Sequence, residues 1–248
     1  MSATASAPRQ VALVSGGSAG IGRAVCEQLI AQKCEVVSLD IQAPRWHSPH
    51  LHAVQVDLLD RQATAQALQQ VAQDWPINTV VHNAGVIRAA LLPQVRLSDL
   101  DDLTQLHLAC AIQMVQAALP TMQAQNFGRV VLLSSRAAVG LVTRSAYAAT
   151  KAGLMGLART WSLELGPMGV TVNVIAPGPI RSTDMFHDVV PAGSDKERQL
   201  AAALPVRRLG EPADVARAVG FFAQADAGFI TGQVLYVCGG ASVGSLNL

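Results

Sequence analysis

A chain of 248 residues, half of them apolar and only 14% charged, is long enough for one large α/β core or two small ones. A formal net charge of +1 with no basic run argues against nucleic acid as a partner, and no apolar run approaches the about 18 residues of a membrane span. The opening MSATASAPRQ has no signal-peptide core, and Cys26, Cys34, Cys110 and Cys238 have no metal-type spacing, so residues 1–8 read as a flexible tail and the cysteines as reduced and buried in a soluble cytoplasmic protein.

In chain order, the apolar run over residues 11–15 predicts a first strand, which the turn SGGSAGIG carries into a helix over 21–32. Gly16, Gly20 and Gly22 permit a tight turn, close approach to a pyrophosphate and close helix-on-strand packing, and Ser18 and Ile21 belong to the same contact set. Free N–H groups at the start of the following helix attract a diphosphate. The second predicted strand, 35–40, ends on Asp40, about 20 residues beyond the glycines. A carboxylate there accepts both adenosine ribose hydroxyls and repels a 2′-phosphate. With no Arg or Lys inside the glycine turn, NAD is preferred over NADP. Residues 41–52, with Pro44, Pro49, His47, His50 and His52, read as a surface loop rather than a metal site, and no metal is expected.

The third strand is predicted over 53–57, which puts Asp57 and Leu58 near the adenine edge. A helix over 60–73, a strand over 79–82 and a long helix over 97–125 follow, the last expected to kink or end at Pro120. Next come a strand over 129–134, a helix over 146–165, a strand over 171–176, a polar and then helical stretch over 181–204 suited to a substrate lid, a helix over 212–224 and a strand over 233–237. Strict alternation of strands and helices implies βαβ units and a parallel sheet covered on both faces. The expected fold is one Rossmann-type, doubly wound α/β domain of about seven strands spanning residues 9–248.

The helix over 146–165 contains YAATK, which sets Tyr147 and Lys151 one turn apart on one face. An ammonium beside a phenol favours the phenolate and brings its pKa of about 10 toward neutrality. Such a pair suits proton transfer in alcohol and ketone chemistry.

The ordered set of glycine turn, Asn83-Ala84-Gly85, Ser134-Ser135, Tyr147/Lys151 and NVIAPGPI (173–180) resembles the short-chain dehydrogenase/reductase family over nearly the whole chain. The resemblance implies hydride transfer between a nicotinamide and a hydroxyl or carbonyl carbon. Tyr147 would be the general acid/base, and Lys151 would lower its pKa and hold the nicotinamide ribose. Ser135, with Ser134 as the minority candidate, would orient the substrate oxygen. Asn83, Ala84 and Gly85 would line the cofactor, Pro177, Gly178 and Ile180 would border the nicotinamide, and Ser182 or Thr183 would bond its carboxamide. Where the family often carries an asparagine this chain has His107, expected to sustain a modified proton relay by titrating near neutrality, or else to be a core or interface histidine. Ser15, His82 and Cys238 are further departures.

Alternatives are a 3-oxoacyl-thioester reductase and an inactive dinucleotide-binding regulator. Arg88, Val139, Leu141, Arg144, Met185 and Phe186 are expected to shape the substrate pocket; Arg144 or Arg88 is a candidate to meet a substrate carboxylate, the favoured reading being that both are solvated surface charges. Low charge and long apolar helices suggest subunit contacts, and the resemblance suggests a homotetramer or homodimer binding a small alcohol or ketone.

Overall fold

The computed structural model describes residues 10–181 and 190–243, so the expected tail and Ser182, Thr183, Met185 and Phe186 lie outside the described residues. Seven strands form one parallel sheet in the order β3-β2-β1-β4-β5-β6-β7. They are β1 (Val11–Ser15), β2 (Glu35–Asp40), β3 (Leu51–Gln55), β4 (Thr79–His82), β5 (Gly128–Leu133), β6 (Val170–Pro177) and β7 (Val234–Val237). The helices are α1 (Gly20–Ala31), α2 (Arg61–Asp74), α3 (Leu97–Thr104), α4 (Cys110–Gln125), α5 (Ser145–Leu165), α6 (Asp195–Ala203) and α7 (Pro212–Ala223).

Alternation along each strand feeds two cores. From β1, Leu13 packs under the face that carries α2, α4 and α5, whereas Ala12 and Val14 pack under α1 and α7. Both faces are buried, which is why the central strands read as unbroken apolar runs rather than as alternating ones. The strand order reverses between β1 and β4, and a crevice opens at that switch point beyond the carboxyl ends of the strands.

Three expectations need correction. The third strand starts two residues earlier than predicted, because Val36 donates to His50 O at 2.9 Å and pairs in register with Leu51. His52 therefore lies on a strand. Together with His50 it holds the two carboxylate oxygens of Glu35, each at 3.0 Å.

The helix predicted over 97–125 is broken into α3, a π turn over Gln105–Ala109, and α4. Pro120 lies inside α4 without ending it. Burial of Ala118 and Met122 against the sheet offsets its disruption of about 3 kcal/mol, and Asn126, in the left-handed region at φ 47°, ends the helix.

Candidate active site

The crevice is a cleft of about 1080 Å³. Gly16, Gly20, Ile21, Gly22, Asp40, Asp57 and Leu58 line one end. Asn83, Ala84, Gly85, Ser134, Ser135, Tyr147 and Lys151 line its middle, and Pro177, Gly178 and Ile180 close over it.

The glycine turn admits a close ligand for a geometric reason. A Cβ on Gly22 would sit 1.8 Å from Gly16 O, and Gly16 itself has φ +71°. The cap residue of α1, Ala19, makes no side-chain cap bond, so the helix presents its first N–H groups to the cleft. Asn83 Nδ2 donates to Ser15 O at 3.2 Å and to Gly16 O at 3.0 Å, bracing the turn from behind. A diphosphate fits this cradle.

Asp40 reaches the cleft with Oδ2 accepting Ser18 N at 2.9 Å and Oδ1 accepting Gln42 N at 3.0 Å. Ser18 itself is not in the cleft wall. Its hydroxyl donates to Gln42 O at 2.6 Å, so it fixes the Asp40 loop instead of reaching toward a ligand. Asp57 lines the cleft while its Oδ1 accepts Leu59 N at 2.9 Å.

The paired serines separate by function. Ser134 donates to Lys151 O at 2.7 Å and so ties the end of β5 to α5. Ser135 accepts Ala137 N at 3.1 Å, and its hydroxyl hydrogen-bonds Tyr147 within the cleft. Burial raises the Tyr147 pKa, while a hydrogen bond with Ser135 and the charge of Arg144 pull it back down. The lowering expected from Lys151 is corrected: the groups that pull Tyr147 down are Ser135 and Arg144, and Lys151 is turned elsewhere. Its ammonium donates to Leu133 O at 2.7 Å, and burial brings its own pKa down to about 7.

Behind this group lies a histidine pair. Ser15 Oγ accepts the N–H groups of Asn83 and Ala84 at 3.0 and 3.1 Å, so its proton goes to His82 Nδ1 at 2.9 Å. His107, on the π turn, stands edge-on to the Tyr147 ring with centroids 5.6 Å apart. Thr150 Oγ1 donates to the carbonyl of Ala146 or Tyr147, so it accepts the proton of His107 Nδ1 at 2.9 Å. The other ring nitrogen, Nε2, is therefore a bare acceptor, and it is buried without a hydrogen-bond partner. Burial, then the charge of Lys151, hold the His107 pKa far below its usual value. The expectation that it titrates near neutrality is thus corrected, because it stays neutral. A Cβ on Gly85 would stand 2.9 Å from His107 Nε2 and 3.3 Å from Lys151 Nζ, so glycine keeps the space between them open.

Of the predicted pocket residues, Leu141 and Arg144 line the cleft, whereas Arg88 and Val139 do not. Arg88 faces Asp99 and Asp102 at 3.9 and 3.7 Å, as a surface charge should. Arg144 does not fit that description, being 9% exposed. Sequence reasoning missed Arg136 and Arg207, which also line the cleft. Arg136 directly follows Ser135, and that adjacency was the available signal. Arg207 enters only through the tertiary packing of the segment after α6.

Over residues 16–242 the chain matches the family model described as enoyl-(acyl carrier protein) reductase. It is 35% identical over 245 residues to the hydroxy(phenyl)methylsuccinyl-CoA dehydrogenase subunit BbsD of Thauera aromatica, covering 94% of this chain and 97% of that one. It is 36% identical over 239 residues to the 3-oxoacyl-acyl-carrier-protein reductase MabA of Mycobacterium avium, covering 94% and 89%. A crystal structure of a blue fluorescent protein from a metagenomic library, in complex with NADPH, superposes with a TM-score of 0.82 at 31% identity, covering 95% and 98%. The motif order, the sheet and these matches agree, and the chain belongs to the short-chain dehydrogenase/reductase family of oxidoreductases.

Proposed function

We propose that the protein is an NAD(H)-dependent oxidoreductase of a secondary alcohol or its ketone, with Tyr147 as general acid/base. The observation that carries this reading is the convergence of Ser135, Tyr147 and Lys151 in a cleft that also holds an uncapped helix start behind glycines. The dinucleotide, when bound, supplies or accepts the hydride. The Gly16–Gly22 turn would hold its diphosphate, Asp40 its adenosine ribose, Asp57 and Leu58 its adenine, and Lys151 its nicotinamide ribose. Gly85, Pro177, Gly178 and Ile180 border the nicotinamide.

In oxidation Tyr147 Oη takes the substrate hydroxyl proton, and in reduction it returns one to the carbonyl oxygen. Ser135, hydrogen-bonded to Tyr147 within the cleft, would donate its proton to that oxygen and fix its position. His107 offers a neutral acceptor across the Gly85 gap from Lys151, so its part in proton movement is to anchor a water rather than to titrate. The NAD preference rests on Asp40, whose carboxylate repels a 2′-phosphate.

A homotetramer is proposed on the exposure of Leu163, on α5, at 80%. Similarity to a 3-oxoacyl-acyl-carrier-protein reductase supports a second reading, a 3-oxoacyl-thioester reductase.

A kinetic comparison of NAD with NADP over a panel of secondary alcohols, ketones and 3-oxoacyl thioesters tests both readings. A preference of about 100-fold for NAD is expected from the loss of one paired ribose contact and the added repulsion. Preference for NADP overturns the cofactor assignment, and preference for thioesters establishes the second reading.

A further inference from the structure

We infer that Arg144 is a carboxylate-binding residue, and that the substrate oxidised or reduced beside Tyr147 carries a free carboxylate. This inference rests on the proposed alcohol/ketone reading. Arg144 immediately precedes α5, three residues before Tyr147, which puts both on one side of the helix start. It is 9% exposed and lines the cleft, yet no carboxylate among the described residues lies within ion-pair distance. One guanidinium nitrogen, Nη1, donates to Thr143, to O at 3.3 Å and to Oγ1 at 2.5 Å, and the other two nitrogens make no hydrogen bond to the described residues. Those two nitrogens are not sealed inside the protein, so they open to the cleft and to an acceptor bound there. The planar guanidinium fork matches two carboxylate oxygens.

The backbone that carries it is held under strain. Thr143, a β-branched residue, has φ 68°, in the left-handed region. Its carbonyl accepts Ala90 N at 3.1 Å, and Ala90 and Arg144 form a parallel bridge, so the loops after β4 and before α5 are stitched together at this point. Strain of this kind persists where the surrounding structure fixes it, and here it fixes the residue that directs the guanidinium.

The charge pattern of the cleft agrees. Among the described lining residues the only carboxylates are Asp40 and Asp57, both at the glycine-turn end, whereas Lys151, Arg136, Arg144 and Arg207 line the rest. A cleft of one sign with low-dielectric walls concentrates ligands of the other sign. Leu141, Leu200 and Leu204 supply apolar wall beside these cations, so the substrate class is a hydroxy or oxo acid with an apolar body.

The test compares 2- and 3-hydroxy acids of increasing chain length with their methyl esters, in the parent and in Arg144→Gln and Arg144→Lys, with melting temperature as the folding control. The parent is expected to prefer acid over ester by about 100-fold in kcat/KM, a ratio that falls toward one in Arg144→Gln and is partly kept in Arg144→Lys. Arg88→Gln, an exposed charge outside the cleft, keeps the ratio. Calorimetric titration of the same acids reads the contact without turnover, with binding to Arg144→Gln weakened in proportion.

Equal turnover of acids and esters by the parent overturns the inference while leaving the alcohol/ketone reading standing. An unchanged ratio in Arg144→Gln, or weaker NADH binding with the ratio kept, also overturns it, the latter by assigning Arg144 to the dinucleotide. No turnover of any alcohol or ketone defeats the reaction assignment itself, and equal acid binding by parent and Arg144→Gln then removes the carboxylate contact as well.

Discussion

The two ends of the cleft are built differently. At the glycine-turn end the ligand surface is backbone: Gly16, Gly22, the uncapped start of α1 and loops pinned by Asp40 and Asp57. At the reaction end it is side chain, with Lys151, His107 and Arg144 buried, His107 Nε2 without a hydrogen-bond partner, and Thr143 strained beside them. Main-chain geometry suits a cofactor whose phosphates never vary. Desolvated side chains suit chemistry that depends on where a proton or a charge sits.

The largest expected effect is at the reaction end. Tyr147→Phe removes the hydroxyl proposed to move the substrate proton and should lower kcat by about 1000-fold with an unchanged melting temperature. Residual activity within tenfold of the parent would assign the proton to another group.

At the other end, Gly22→Ala drives a Cβ to 1.8 Å from Gly16 O. Urea denaturation should show a loss of about 3 kcal/mol together with lost dinucleotide binding. Gly156→Ala meets nothing within 4 Å on α5 and sharpens the contrast, because it should stabilise by up to about 1 kcal/mol. A destabilised Gly156→Ala would mean that general helix sensitivity, and not the cradle, explains Gly22.

The serine pair divides the reaction end itself. Ser135→Ala should cost about 100-fold in kcat. Ser134→Ala should instead cost about 1 kcal/mol of stability through its lost bond to Lys151 O. The reverse outcome would exchange their roles.

Smaller still is the effect at His107. Because that ring is neutral, His107→Asn should keep the parent's pH–rate profile, while His107→Leu slows turnover by about tenfold. A profile that shifts in His107→Asn would restore a titrating role.

The smallest effect is one of pH. Lys151 has its folded pKa near 7, against 10.5 unperturbed, so the unfolded chain binds more protons between those values. Stability of the ligand-free protein therefore rises with pH from about 7 to about 10. Lys151→Met should flatten that rise in melting temperature. A parent whose stability falls over this window would show that the lysine is not desolvated in the native state.

The turn over Gly16–Gly22 and the position of Asp40 at the end of β2, both on the cleft wall, were legible because their signals are local. A glycine turn between strand and helix, or a carboxylate at a strand end, needs only neighbouring residues to be read, and the strand boundaries came out within two residues. Ser18 shows the limit. Its place in the turn suggested contact, but the hydroxyl turns away to Gln42 once the Asp40 loop packs against it. The break in the helix over 97–125 could not be read either. A π turn is a register change that neither apolar spacing nor propensity encodes, and it is this turn that presents His107 to Tyr147.

Sequence alone determined the alternation of strands and helices, the glycine turn between β1 and α1, and the one-turn spacing of Tyr147 and Lys151 on α5, since each depends on residues a few positions apart. Tertiary structure decided what those groups do electrostatically. Burial holds His107 neutral, draws Lys151 toward neutrality and raises Tyr147, because desolvation depends on what the rest of the fold places around a titratable group.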